Sequence, residues 1–257
     1  MPLDPAPSAP APGRPGRPHV TAAVLAGGVG VRMGGPRPKQ LLALDGRSVI
    51  EHSIAAFCAA PEVDDVIVLM VADHIAEVEK IVAAGGHAKV SAVLPGGATR
   101  TATSVAALDA LAHRDDGDLV LLHDAVRPLV DRRTIAECVA ALGEAGAVGV
   151  AVPSADTVVE VTQAPGGAEV IRSVPPRSRL RRMQTPQGFR LGVVRLAYAR
   201  ALADPGLVAT DDCGVVLRYV PEEEVRVIPG AESNIKVTNP GDIEVAEALL
   251  RRRTGAE

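Results

Sequence analysis

The chain has 257 residues, room for one large α/β domain or two small ones with a substantial core. Hydrophobic residues make up 47% and charged residues 23%, an ordinary soluble balance, and a net charge of -4 gives no basic field to recruit nucleic acid. Aromatic residues are 2%, too few to stack exposed bases, and no apolar run reaches the ~18 residues of a membrane span, so neither nucleic acid nor a membrane is expected as partner.

The first 18 residues carry seven prolines and no apolar h-region. Such a composition cannot build a core, so residues 1–18 read as a disordered tail and residues 19–254 as the folded part. Residues 20–25 (VTAAVL) predict a buried strand ending in glycines. Further strands are expected at 66–71, 90–94, 119–122, 147–152 and 225–228, each a short apolar run. Near-continuous apolar strands belong to a sheet covered on both faces. Helical spacing appears between them, at 48–60, 73–84, 99–112, 131–145 and 191–203. A last helix follows Thr238-Asn239-Pro240. The alternation predicts a Rossmann-like, doubly wound, mostly parallel α/β sheet, with ligands at the carboxyl ends of its strands. One segment breaks the pattern. Residues 157–161 (TVVEV) and 169–174 (EVIRSV) flank the turn Ala164-Pro165-Gly166-Gly167 and predict a projecting β-hairpin. A lone hairpin cannot bury its faces, so an arm of a homodimer is expected at about 153–182.

Cys58, Cys138 and Cys213 are odd in number, far apart and in no CxxC pattern. That argues against disulfides or structural zinc and fits a reducing cytoplasm.

The stretch AGGVGVRMGGPRPKQ (26–40) places glycines, Arg32 and Lys39 directly after the first strand. Glycines allow close backbone approach, and successive N–H groups form an anion-binding concavity. The spacing Gly28-x-Gly30-x-x-x-Gly34 is not the dinucleotide fingerprint, and no GK[ST] makes it a P-loop. Two cations beside such a nest suit a triphosphate whose leaving group gains charge. Asp124 lies past the fourth apolar run, where a carboxylate suits Mg²⁺ that bridges phosphates, with Arg127 as a planar phosphate fork. An Asp–Arg pair capping a turn is the plainer alternative. His123 reads as a packed strand-end residue. GGATRTATS (96–104) offers either base or ribose recognition or a plain helix start. Thr210-Asp-Asp212 resembles a helix cap, and Lys236 sits in a β-like stretch as an edge charge or a third phosphate cation.

Together AGGVGVRMGGPRPKQ, GGATRTATSV, HDAVRP, QTPQGF, TDD and NIKVTNPGDIEVAEALL resemble, in order and separation, the CDP-polyol-forming cytidylyltransferases. The likeness covers about residues 20 to 252. It implies transfer of CMP from CTP to a phosphorylated polyol with Mg²⁺, in one nucleotidyltransferase domain. The acceptor implied is 2-C-methyl-D-erythritol 4-phosphate of the non-mevalonate isoprenoid pathway. D-ribitol 5-phosphate is the alternative, favoured by several motif variants. The resemblance implies catalytic roles for Arg32, Lys39 and Lys236. It implies CTP contacts from Ala26, Gly27, Gly28, Gly30, Gly97, Ser104 and Asp124, with Asp124 also at the metal. It implies acceptor contacts from Arg127, Thr157, Arg177, Thr185 and Thr210, of which Thr157 and Arg177 reach across the dimer. The chain departs from the family's usual pattern at Gly27 (usually alanine), Ala98 (often acidic), Val126 (alanine), Val159 (lysine) and Cys213 (alanine).

Overall fold

The computed structural model describes residues 16–28 and 37–255. Strand β1 (Val20–Ala26) is followed by two short strands, β2 (Ala43–Leu44) and β3 (Arg47–Ser48), and by α1 (Val49–Ala59). Then come β4 (Asp65–Met70), α2 (Ile75–Ala84), β5 (Val90–Pro95), α3 (Arg100–Ala110), β6 (Leu119–Asp124), α4 (Arg132–Ala141) and β7 (Ala147–Pro153). The chain continues with β8 (Glu160–Gln163), β9 (Glu169–Ser173), β10 (Arg181–Arg190), α5 (Leu191–Leu202), α6 (Asp212–Tyr219), β11 (Val225–Pro229) and α7 (Asp242–Thr254). Seven strands form one sheet in the order β11-β7-β10-β6-β1-β4-β5. All neighbours pair in parallel except β10, which is antiparallel to both β6 and β7.

The period of two along β1 decides which layer each residue joins. Val20, Ala22, Val24 and Ala26 face α1, α2 and α4, packing with Ile54, Phe57, Val78, Ile135 and Cys138. Ala23 and Leu25 face the opposite layer, with Leu108 of α3, Leu191 and Val194 of α5 and Val216 of α6. Two apolar layers on one sheet explain why its strands are apolar at nearly every position. Helix starts follow from side-chain caps. Thr99 accepts from Ala102 N at 3.0 Å, Asp131 from Thr134 N at 2.7 Å and Asp211 from Gly214 N at 2.7 Å. A third apolar group, Leu44, Val49, Val126, Leu129, Val237 and Ala246, ties α7 to the loops after β1 and β6.

The expectation of a doubly wound, mostly parallel sheet with a projecting hairpin holds, with three differences in detail. The segment QTPQGF, which no expected strand covers, forms residues 184–189 of the ten-residue strand β10 in the interior of the sheet. Hydropathy hides this strand because, Phe189 apart, its buried side chains Gln184, Thr185 and Gln187 are polar and individually bonded. Gln187 Oε1 accepts from the backbone N–H groups of Asp212 and Cys213, and Gln184 Nε2 donates to Ala231 O. Pro186, which has no N–H, lies where the β10–β7 register shifts. The first hairpin strand begins later than expected, at Glu160, while the second begins at Glu169 as expected, and the two form a separate two-stranded sheet. The stretch around Lys236 is an extended loop with no ladder, fixed by Val237 N donating to Val126 O at 2.8 Å. The expected tail lies largely outside the described residues, but Arg17 is docked on Asp64 at 2.5 Å.

Gly188 of β10 has no room for a side chain: a Cβ there meets Cys138 Sγ at 2.8 Å, Leu142 Cδ1 at 2.9 Å and Leu121 Cδ2 at 3.1 Å. Gly188→Ala is expected to cost roughly 1–3 kcal/mol through overpacking. Urea unfolding measures it, and an unchanged midpoint rejects the tight contact between β10 and α4.

Candidate active site

Chain order places β5 at one edge of the sheet and returns to β6 on the other side of β1. This reversal opens a crevice at the carboxyl ends of β1 and β6. Gly27 and Gly28 leave β1 there, and Asp124 ends β6. A cavity of about 330 Å³ lies against Gly27, Gly28, Lys39, Gln40, Thr103 and Val126. A neighbouring cavity of about 350 Å³ lies against Arg127, Gln184, Thr185, Gln187, Thr210 and Asp211. Arg100, Asp124 and Lys236 line both.

The glycine turn is held from below. Gln40 is buried, and its Nε2 donates to Ala26 O at 2.9 Å and Gly28 O at 2.7 Å. Ala26 is therefore buried with its carbonyl occupied. Gly27 lies against the start of α3, where a Cβ meets Thr103 Oγ1 at 2.3 Å and Gly97 O at 3.0 Å. The glycine found where the resembling family usually has alanine thus makes room for Thr103. Local packing, not the acceptor, accounts for that departure. Gly97 contributes a backbone N–H, bonded to Thr103 Oγ1 at 3.1 Å, and lines neither cavity. Lys39 lies on a single 3₁₀ turn, and its Nζ donates to Val237 O at 3.2 Å. Gly30 and Arg32 lie outside the described residues.

Asp124 is buried among cations. Its oxygens lie 3.2 Å from Arg100 Nε and 2.8 Å from Lys236 Nζ, with Arg127 Nε at 3.9 Å. Burial by itself raises a carboxyl pKa. Here Arg100, Lys236 and Arg127 outweigh it and hold the group well below the usual carboxylate range. Arg100 also reaches Asp212, at 2.8 Å from Nη2. Burial works against its cation, but Asp212 and Asp124 together hold its pKa above the ordinary guanidinium value. Asp212 is completely buried and accepts from Tyr198 Oη at 2.5 Å.

His123 is neutral and spoken for at both nitrogens. Arg127 O can only accept, so Nε2 carries the proton and donates to it at 3.2 Å. Nδ1 then accepts from Thr185 Oγ1 at 3.0 Å, and that oxygen accepts from Asp124 N at 3.1 Å. The chain of bonds fixes Thr185 beside Asp124.

Two expected residues need correction. Ser104 is completely buried in the layer of Tyr198 and Leu108 and lines neither cavity. Adjacent helix residues point about 100° apart, and it is Thr103 that faces the crevice. Arg127 does not present a free fork. Its Nη1 donates to Asn234 O at 2.8 Å and its Nη2 to Met183 O at 3.2 Å, stapling the Lys236 loop to β10. Thr185 and Thr210 lie at the second cavity, while Thr157 and Arg177 are exposed on the arm and line neither. Sequence reasoning passed over Arg100, Gln40, Thr103 and Asp212. Arg100 did leave a signal: a cation in the first turn of a helix opposes the helix dipole and needs a local reason to be there.

The family of 2-C-methyl-D-erythritol 4-phosphate cytidylyltransferases matches residues 20–252. A protein of that description from Thermobifida fusca is 66% identical over 235 residues, 91% of this chain and 94% of that protein. A bifunctional ribulose 5-phosphate reductase/CDP-ribitol pyrophosphorylase of Haemophilus influenzae is 37% identical over 231 residues, covering 90% of this chain and 48% of that protein. Among solved structures, 4-diphosphocytidyl-2C-methyl-D-erythritol synthase from Anaerococcus prevotii superposes with a TM-score of 0.77 at 28% identity, covering 91% of this chain and 97% of that one.

Burial lowers the His123 pKa from 6.5 to about 4, against the opposing pull of Asp124. The unfolded chain binds this proton from about pH 6.5 downward and the folded one does not until about pH 4. His123 therefore contributes stability in full above pH 6.5, and that contribution, roughly 3 kcal/mol, is lost as the pH falls toward 4. Imidazole NMR checks it: a His123 ring that titrates near 6.5 in the folded protein rejects the bonded neutral tautomer.

Proposed function

The chain belongs to the 2-C-methyl-D-erythritol 4-phosphate cytidylyltransferase family, and from that premise we propose how its residues do the work. The reaction transfers CMP from CTP to 2-C-methyl-D-erythritol 4-phosphate, giving 4-diphosphocytidyl-2C-methyl-D-erythritol and pyrophosphate. A phosphate oxygen of the acceptor attacks the α-phosphorus of CTP. A P–O bond forms there as the bond to the β-phosphate bridging oxygen breaks, and pyrophosphate leaves with that electron pair. The attacking phosphate is already an anion, so the protein needs no strong base. Catalysis rests on positioning and on neutralising charge.

The observation that carries this assignment is the wall shared by the two cavities. CTP fits the cavity under the glycine turn, where Gly28 presents backbone to phosphates and Lys39 lies at the rim. The acceptor fits the second cavity, against Thr185 and Thr210. The reacting atoms then meet over Asp124 and Lys236. Gly27 and Gly97 shape the cytidine end through their backbone, and Arg127 frames the acceptor end. Arg32 and Gly30 complete the phosphate loop in this reading, on the strength of the motif alone.

A divalent cation, magnesium, suits the same wall. A magnesium ion that binds through one or two carboxylates keeps most of its coordination for substrate phosphates and water. One carboxylate suffices for that, and Asp124 supplies it. Such an ion lowers the charge that the phosphates present to one another. Arriving phosphates also compete for Lys236, freeing the Asp124 oxygen it now holds.

We read residues 19–254 as one nucleotidyltransferase domain and about 153–182 as the arm of a homodimer. Val159, Val161, Val170, Ile171 and Val174 are exposed along the arm, an apolar surface that a second chain would cover. Thr157 and Arg177 then act in the partner's acceptor cavity. Three unpaired cysteines suit work in the cytoplasm.

Pyrophosphate release from CTP is expected with methylerythritol phosphate and at least a hundredfold slower, in kcat/KM, with ribitol phosphate. The reverse preference overturns the assignment. Lys39→Ala should lower kcat by about 10²–10³ with the fold intact. Turnover near wild type rejects its role. Mixed Lys39→Ala and Arg177→Ala subunits should recover about a quarter of wild-type activity, since one site per mixed dimer is whole. No recovery, or a monomer in sedimentation, rejects the exchanged arm.

A further inference from the structure

Arg100 stands where the two cavities join, beside Asp124 and Lys236. Its guanidinium is divided between two carboxylates on different elements. Nε faces Asp124 at the end of β6, and Nη2 faces Asp212 at the start of α6. Nη1 has no hydrogen-bond partner among the described residues, and about a quarter of the side chain, 26%, is exposed.

Asp212 has no access to solvent and is oriented from three sides. Tyr198 Oη donates to it, Arg100 pairs with it, and its own backbone N–H is held by Gln187 of β10. A buried carboxylate of this kind is retained only with a cation beside it. Asp212 thus fixes one edge of Arg100. Burial and the adjacent carboxylate also push the Tyr198 phenol well up, so it remains a donor.

Neither carboxylate uses the whole fork. Without Asp212, Arg100 is free to turn its planar edge fully onto Asp124, because two parallel N–H···O bonds are the preferred pairing. That rotation would withdraw the cation from the crevice and neutralise the carboxylate that faces the phosphates.

We propose that Arg100 is a catalytic residue contacting the phosphates of donor and acceptor where they meet, and that Asp212, braced by Tyr198, is the positioning residue that holds its guanidinium there. This deepens the assignment of the two cavities and rests on it. The chemistry recognised is a pair of phosphate groups brought together during phosphoryl transfer, whose equatorial oxygens gather charge as the bond to pyrophosphate lengthens. Arg100 suits this better than a lysine because it can touch two oxygens at once.

A double-mutant cycle on kcat tests it. Arg100→Lys keeps a cation for Asp212 and so keeps the fold, but loses the fork. It is expected to lower kcat at least thirtyfold, with unfolding midpoints close to wild type. Asp212→Asn keeps the shape and the acceptor for Tyr198. It is expected to lower kcat about tenfold, with a smaller change in KM for CTP. The double variant should be no slower than Arg100→Lys alone, since Asp212 acts only through Arg100. Tyr198→Phe should lower kcat by a few fold in the wild-type background and not at all in Asp212→Asn. Losses that multiply in the double variant overturn the positioning role. An Arg100→Lys enzyme within twofold of wild type overturns the catalytic role. Should Asp212→Asn fail to fold, the Tyr198→Phe pair with Arg100→Lys closes the same cycle. A wild-type enzyme that releases no pyrophosphate from CTP and methylerythritol phosphate overturns the assignment of the cavities and this proposal together, which separates that failure from the others.

Discussion

Asp124 holds its negative charge at the end of β6 in a place where burial would otherwise expel it. Three cations prevent this, and each comes from a different part of the chain: Arg100 from α3, Arg127 from the loop after β6, and Lys236 from the loop before α7. The carboxylate therefore draws one helix start and two loops together. Remove it, and three positive groups face one another across the crevice, with only Asp212 left to hold Arg100. In the reading proposed above, incoming anionic groups take over cations that Asp124 holds in the free protein.

That arrangement is stiffened by neutral bonds just behind it. His123 donates to Arg127 O and accepts from Thr185, and Thr185 in turn accepts from Asp124 N. Arg127 spans from Asn234 O to Met183 O. Asn234 Nδ2 donates to Thr185 O at 2.8 Å. These bonds tie β6, β10 and the Lys236 loop into one unit. On the other side Gln40 holds the glycine turn through two carbonyls, and Val237 links the Lys39 turn to the same loop. The two cavities are built from a shared frame, so their separation is fixed by the fold.

The antiparallel insertion of β10 makes this possible. It puts a strand start, not a strand end, next to Asp124, and so delivers Gln184 and Thr185 to the crevice. It also carries Gln187 to the start of α6, which orients Asp212 toward Arg100. A purely parallel sheet would place a βα loop there in its stead. The segment that precedes β10 leaves the sheet at Pro153 and returns at Arg181, so the same departure from parallel order that shapes the second cavity also projects the hairpin.

The sequence alone determined the alternating strands and helices, the glycine turn after the first strand, the hairpin, and the positions of Lys39, Asp124 and Lys236 in ordered motifs. These are local properties: apolar runs, turn residues and spacing are written along the chain. The tertiary structure decided the rest. β10 was hidden because most of its buried side chains are glutamines and a threonine, whose partners are distant in sequence. Ser104 and Thr103 are equivalent on paper, and only the rotation of α3 against β1 shows that Thr103 faces the crevice. Arg127 looks like a phosphate fork until two carbonyls, one from the Lys236 loop and one from β10, occupy it. Arg100 and Asp212 are 112 positions apart and become partners only because β6 and β10 lie side by side in the folded sheet. Charge pairing in space, unlike periodicity, leaves no trace in the order of residues.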